Sequence, residues 1–149
     1  AEPDVEGWKT MPDYRDAAER HWEDAGFLIN KNRKANADHL FGLAAECALK
    51  AVMLGLGMQL RPDGAPVESR HRKHVDSLWG EFCSFAQGRN GAKYAAMVSS
   101  VANPFSGWNI SQRYEHRANI NQAIVKKHEK DAESAMKVLR EAYHDGVIQ

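Results

Sequence analysis

The sequence predicts an all-α fold, and three observations carry that reading. Apolar residues recur at spacings of three and four, no stretch sustains period-two alternation, and Gly- or Pro-rich breaks divide the pattern into helix-length pieces. Four to five helices with short connections make an up-and-down bundle. The 149 residues amount to one domain, read as an N-terminal extension over 1–12 followed by a single helical domain over 13–149. A chain of this size buries about 70% of the surface its unfolded form exposes, enough for a core without disulfides or structural metal.

Asp13, just after Pro12, is suited to start a first helix in which Tyr14, Ala18, Trp22, Ala25 and Ile29 share a face; it should run to about Lys31. Asn36 or Asp38 can cap a second helix, apolar from Leu40 to Leu56 except for Glu46 and Lys50, which suits the middle of a bundle. Gly55 and Gly57 end it, and Arg61 to Val67 is a turn-rich connection with room for a crossover or a functional loop. Val75, Leu78, Trp79 and Phe82 mark a third helix, stopped by Gln87 to Gly91, and a fourth runs from about Ala92 to Ala102. Asn103-Pro104 breaks the chain, because the residue before proline is pushed out of the helical region. The last helix, from about Ser111 or Arg117 to Tyr143, carries Val125, Ala132, Met136, Leu139 and Tyr143 on one stripe.

Composition narrows the functional classes. Twenty basic residues balance twenty acidic ones, so no whole-chain field attracts nucleic acid. The balance is an average, however: an acidic stretch over 1–30 offsets basic clusters at Lys31, Arg33 and Lys34, at Arg70, Arg72 and Lys73, and at Arg113 and Arg117. Cys47 and Cys83 sit among apolar neighbours and read as reduced thiols of a cytoplasmic protein. No basic-then-apolar leader opens the chain and no apolar run approaches the roughly 18 residues that span a bilayer, so neither secretion nor membrane insertion is expected. A Gly-rich phosphate loop, a nucleophile elbow, a paired CxxC and HExxH are all missing.

Three polar sets remain. At about 100° per residue, His39, Glu46 and Lys50 fall on one face of the second helix. They make either a helix-end histidine beside an ordinary Glu–Lys pair or a working site, the latter because a carboxylate between Ala45 and Cys47 is costly unless it is satisfied. The second set is Trp108 to Arg117, with Arg113 and Arg117 as a cationic pair at a helix start suited to phosphate, His116 as a proton carrier and Tyr114 as a stacking or hydrogen-bonding group. Alternatively Trp108 and Tyr114 are core and Arg113 pairs with a buried acid such as Glu46. The third is Arg70 to His74 with Asp76. It reads as a solvated basic loop or a phosphate-binding patch, since no further ligand supports a zinc site at His71 and His74.

Asn36 to Lys50 resembles the central helix of HEPN domains (higher eukaryotes and prokaryotes nucleotide-binding). Lys73-His74-x-Asp76-x-Leu78-Trp79 and Trp108 to Tyr114 are similar to segments of small bacterial members, and the likeness covers roughly 13–144. The resemblance implies a four- or five-helix bundle, usually dimeric. Many members are RNases or toxins and others bind nucleotides. Their nucleolytic signature is Arg, four to six residues, then His, near the start of a late helix. In this chain Ala118, Asn119 and Ile120 stand where that His is expected after Arg113, and His116 follows by only three. The spacing does occur at Arg15/His21 and Arg33/His39, earlier in the chain than the family places it.

The resulting expectation is a cytoplasmic, homodimeric, HEPN-like protein that binds RNA or a nucleotide and, as a toxin or defence ribonuclease with a cognate protein partner, cleaves RNA without metal or cofactor. His116 is assigned as general acid/base and Arg113, Tyr114, Glu46 and Lys50 complete the catalytic set; Arg117, Arg33, His39, Arg72 and Lys73 are assigned to phosphate. The alternative is a non-catalytic interaction module whose polar face is an internal salt-bridge network.

Overall fold

The computed structural model describes residues 11–98 and 102–149, and the fold over them is all-α. Five α-helices follow one another: α1 (Tyr14–Asn30), α2 (Lys34–Gly55), α3 (Val75–Gln87), α4 (Ala92–Val98) and α5 (Gln122–His144). Short 3-10 turns occupy Ser69–His71, Ile110–Tyr114 and Arg117–Asn119. Among the described residues the sole β feature is an isolated bridge between Leu60 and Pro66. No helix of these residues is long and apolar enough to cross a membrane. Most of the 1–12 extension, and residues 99–101 of the fourth expected helix, lie outside the described residues.

Asp13 caps α1 as expected, its carboxylate accepting from the Asp16 N–H at 2.9 Å. The turn into α2 is tight because Asn32 adopts φ 59°, a left-handed conformation that asparagine tolerates, which lets the Arg33 N–H reach back to the Leu28 carbonyl. The helix therefore starts at Lys34, one turn earlier than the expected cap at Asn36 or Asp38, and its N-cap Arg33 makes no side-chain capping bond. Asp38 is fully buried instead of capping.

α2 is the central helix. Ala44, Ala45, Ala48, Leu49, Val52 and Met53 are all buried, and α1, α3 and α5 pack around it. Asp38 near its start meets His128 of α5, while Gly55 at its end lies against Val147 just beyond α5, so the two helices run in the same direction. α3 begins with His74 bonded to Glu46 and is followed by Gly91 against Leu56, so it too runs with α2. The 56–74 connection is thus the crossover for which the sequence left room, and up-and-down alternation is interrupted there. Arg72 holds this crossover by donating to the Pro66 and Val67 carbonyls, both at 2.9 Å.

The last expected helix differs most. Residues 110–119 form two 3-10 turns, and α5 starts only at Gln122. Three successive caps explain this: Asn109 accepts from the Ser111 N–H, His116 from Ala118 and Asn121 from Ile124, and each starts a new turn instead of prolonging the last. From Val125 to Leu139 the apolar stripe is buried as expected, whereas Tyr143 is about half exposed.

Trp108 is buried directly over Gly42 of α2. A Cβ at position 42 would fall inside van der Waals contact with the indole, which is locked by its own hydrogen bond and cannot swing away. Gly42→Ala should therefore lower stability by about 1–3 kcal/mol in urea denaturation; an unchanged or higher midpoint would show that the indole relaxes freely.

Candidate functional site

Asp38 organises the region. Its backbone carbonyl accepts from the Trp108 indole N–H at 3.1 Å, its Oδ2 accepts from the Gln112 amide at 2.7 Å, and its Oδ1 lies 2.6 Å from His128 Nδ1. His128 is buried and stacked on Phe105 at 5.2 Å. Gln112 also accepts from the Asn109 backbone N–H, closing a capping box. The Asn103 amide donates to the Asp76 carbonyl and Lys127 to that of Pro104. A segment without a long helix is in this way tied to α2, α3 and α5 at once.

That tie brings the start of α2 beside the start of α5. Between them lies an open cavity of about 720 Å³, lined by Arg33, Lys34, His116 and Arg117, with Glu115 as its one acid. None of these three Lys and Arg side chains forms an ion pair among the described residues. Neither helix carries an acid in its first turn, so no carboxylate of its own offsets the positive end of either peptide dipole. His116 Nδ1 accepts the Ala118 N–H at 3.1 Å, so the neutral ring carries its proton on Nε2.

Glu46 forms a separate buried network. Its Oε2 accepts from Lys50 at 3.1 Å and its Oε1 lies 3.0 Å from His74 Nδ1, while Glu46 and Lys50 are each only 8% exposed. Burial raises the neighbouring Tyr14 hydroxyl, helped by Cys47 and Glu46. Burial also pushes the Cys47 thiol up to about 12, leaving it protonated and unreactive at neutral pH. His21 is lowered by burial and then by Arg20.

His39 stands between the two regions. Its ring stacks on Trp108 at 5.7 Å, its Nδ1 is buried without a partner, and burial followed by the Arg113 charge lowers its pKa. It is therefore neutral at pH 7. Arg113 lies over the Tyr114 ring at 4.9 Å, and Tyr114 is 79% exposed.

The expected catalytic set is accordingly divided among three places. His116 lines the cavity, Arg113 and Tyr114 stand on the adjoining 3-10 turn, and the buried Glu46–Lys50 pair is closed by His74. The shared helical face expected for Arg113 and Arg117 is lost because the chain turns extended at Glu115, with ψ 148°. Tyr114 is not core, and Arg113 makes no pair with Glu46. Of the expected phosphate residues, Arg33 and Arg117 meet. Arg72 is committed to loop carbonyls, and Lys73, although exposed, does not line the cavity. His71 is buried edge-on against Phe85 while His74 turns to Glu46, so that pair does not converge on a common ligand. Among the described residues no group of three or more His, Cys, Asp or Glu is placed to hold a metal ion.

The tie between Asp38, expected only as a helix cap, and His128 escaped the sequence reading. The available signal was His128 itself, a polar residue between Val125 and Ala132 on the buried stripe of α5. Comparison with protein families, with curated proteins and with solved structures finds no match to this chain.

Two outcomes follow from this geometry. Asp38→Ala should cost about 3–5 kcal/mol in urea denaturation, because it strands the partners of a buried carboxylate; a loss below about 1 kcal/mol, the size of one ordinary hydrogen bond, would contradict its organising role. Arg113→Ala removes a positive charge that opposes protonation, so the His39 titration midpoint measured by NMR should rise toward about 6.5. An unmoved midpoint would place Arg113 too far away to act.

Proposed function

We propose that the protein is a HEPN-like RNA- or nucleotide-binding protein whose phosphate site is the cavity between the starts of α2 and α5. The observation that carries this reading is the meeting of Arg33 and Lys34 with Arg117, basic residues far apart in the chain, around one cavity. Guanidinium forks and first-turn backbone N–H groups are suited to phosphate oxygens, and the Nε2–H of His116 adds a donor. A homodimer, the usual state implied by the resemblance, would carry this cavity twice.

Binding is better supported than cleavage. A general base needs a free lone pair, and His116 has its only one directed at the Ala118 N–H. Metal-independent cleavage therefore requires the ring to release that cap first. The second reading, an interaction module, is favoured by the Lys50–Glu46–His74 network, which satisfies its charges internally and presents no open carboxylate.

Salt separates the two readings. RNA affinity should fall steeply with rising salt, and the Arg33→Ala/Arg117→Ala double variant should flatten the log–log slope by about two, one for each phosphate contact removed. Weak, salt-insensitive binding would favour the interaction module. Incubation with mixed RNA in EDTA then tests chemistry: cleavage abolished by His116→Ala assigns the ring a catalytic part, and intact RNA leaves binding as the activity.

A further inference from the structure

Among the described residues Tyr114 is the most exposed of the large hydrophobic side chains, at 79%, although it sits on a well-anchored turn. Gln112 is bonded to buried Asp38, the Asn109 capping box closes the turn, and Ile110 packs against the core. The ring is therefore held out from the surface by a fixed backbone. Arg113 covers one ring face at 4.9 Å, and the next three residues, Glu115, His116 and Arg117, line the cationic cavity. Three residues of chain span at most about 11 Å, so the backbone that carries the ring lies close to the cavity.

We propose that Tyr114 is a base-stacking platform, and that the cavity with Tyr114 selects single-stranded RNA: the phosphate lies against Arg33 and Arg117 while an unpaired base stacks on the ring face opposite Arg113. This rests on the phosphate reading of the cavity and adds the form of the ligand to it. In a duplex the base faces are already stacked within the helix and cannot reach the ring, whereas a single strand offers them. Arg113 strengthens the platform by occupying the other face of the ring, making a cation–aromatic–base sandwich.

An arginine over an exposed tyrosine is not sufficient by itself. Tyr143 is 47% exposed and lies under Arg15 at 4.2 Å, but at the far end of α5 and away from the cavity. It supplies the control.

The test is fluorescence anisotropy with a labelled mixed-sequence 12-mer oligoribonucleotide, single-stranded and annealed to its complement. Wild-type protein should prefer the single strand by about tenfold. Tyr114→Ala should weaken single-strand binding by about five- to hundredfold, the range for one stacked base, and leave duplex binding and thermal stability unchanged. Tyr114→Trp should restore the single-strand affinity, and Tyr143→Ala should have no effect. Equal affinity for the two forms, Tyr114→Ala without effect, or equal losses for Tyr114→Ala and Tyr143→Ala would overturn the platform while leaving intact any salt-dependent binding through Arg33 and Arg117. Absence of salt-dependent binding in the wild type would overturn the cavity reading, and the platform with it.

Discussion

A single buried carboxylate sets the arrangement of everything that faces the cavity. Asp38 engages Trp108 through its backbone and Gln112 and His128 through its two carboxylate oxygens, so the 103–121 segment and α5 are both referred to one point on the central helix. A buried carboxylate is costly to desolvate and is tolerated when each oxygen finds a partner in good geometry, as here. The return is specificity of placement. The 103–121 segment has only two short 3-10 turns of its own, and its position depends on bonds to other elements. Gly42 complements the tie by leaving room for the indole that Asp38 holds.

Glu46 plays a related part farther along α2. It holds Lys50 on its own helix and His74 at the head of α3, which fixes where the crossover delivers the chain. The two acids thus face inward and do organising work. The cations of the proposed site face outward, Arg33 and Lys34 at the beginning of α2 and Arg117 on the 3-10 turn before α5. The zero net charge of the whole chain is thus compatible with a local excess of positive charge at one cavity.

The helices with clear punctuation were legible from residue pattern. Asp13 starts α1, Gly55 and Gly57 end α2, and the Gly-rich stretch after Gln87 ends α3, because each rests on a local backbone preference. The segment from Ile110 to Asn121 was not legible as non-helical, since its helix-compatible residues conceal three caps that compete with continuation. Asp38 was misread for a similar reason: an Asp near a helix start ordinarily caps it, and only His128, ninety positions away, makes it a buried tie. The basic clusters were visible as clusters. Which of them meet was decided by the tertiary ties, and those ties join Arg33 to Arg117 while leaving Arg72 on the crossover.

The most direct measurement is to map amide chemical shifts in isotope-labelled protein during titration with a short oligoribonucleotide. Fast, saturable shifts should concentrate at 33–36 and 114–122, the two chain segments around the cavity, with little change at 70–74 or at the C-terminal end of α5. Shifts centred on the crossover, or scattered with no saturation, would contradict the assignment of the cavity between α2 and α5 as the site where this protein holds phosphate.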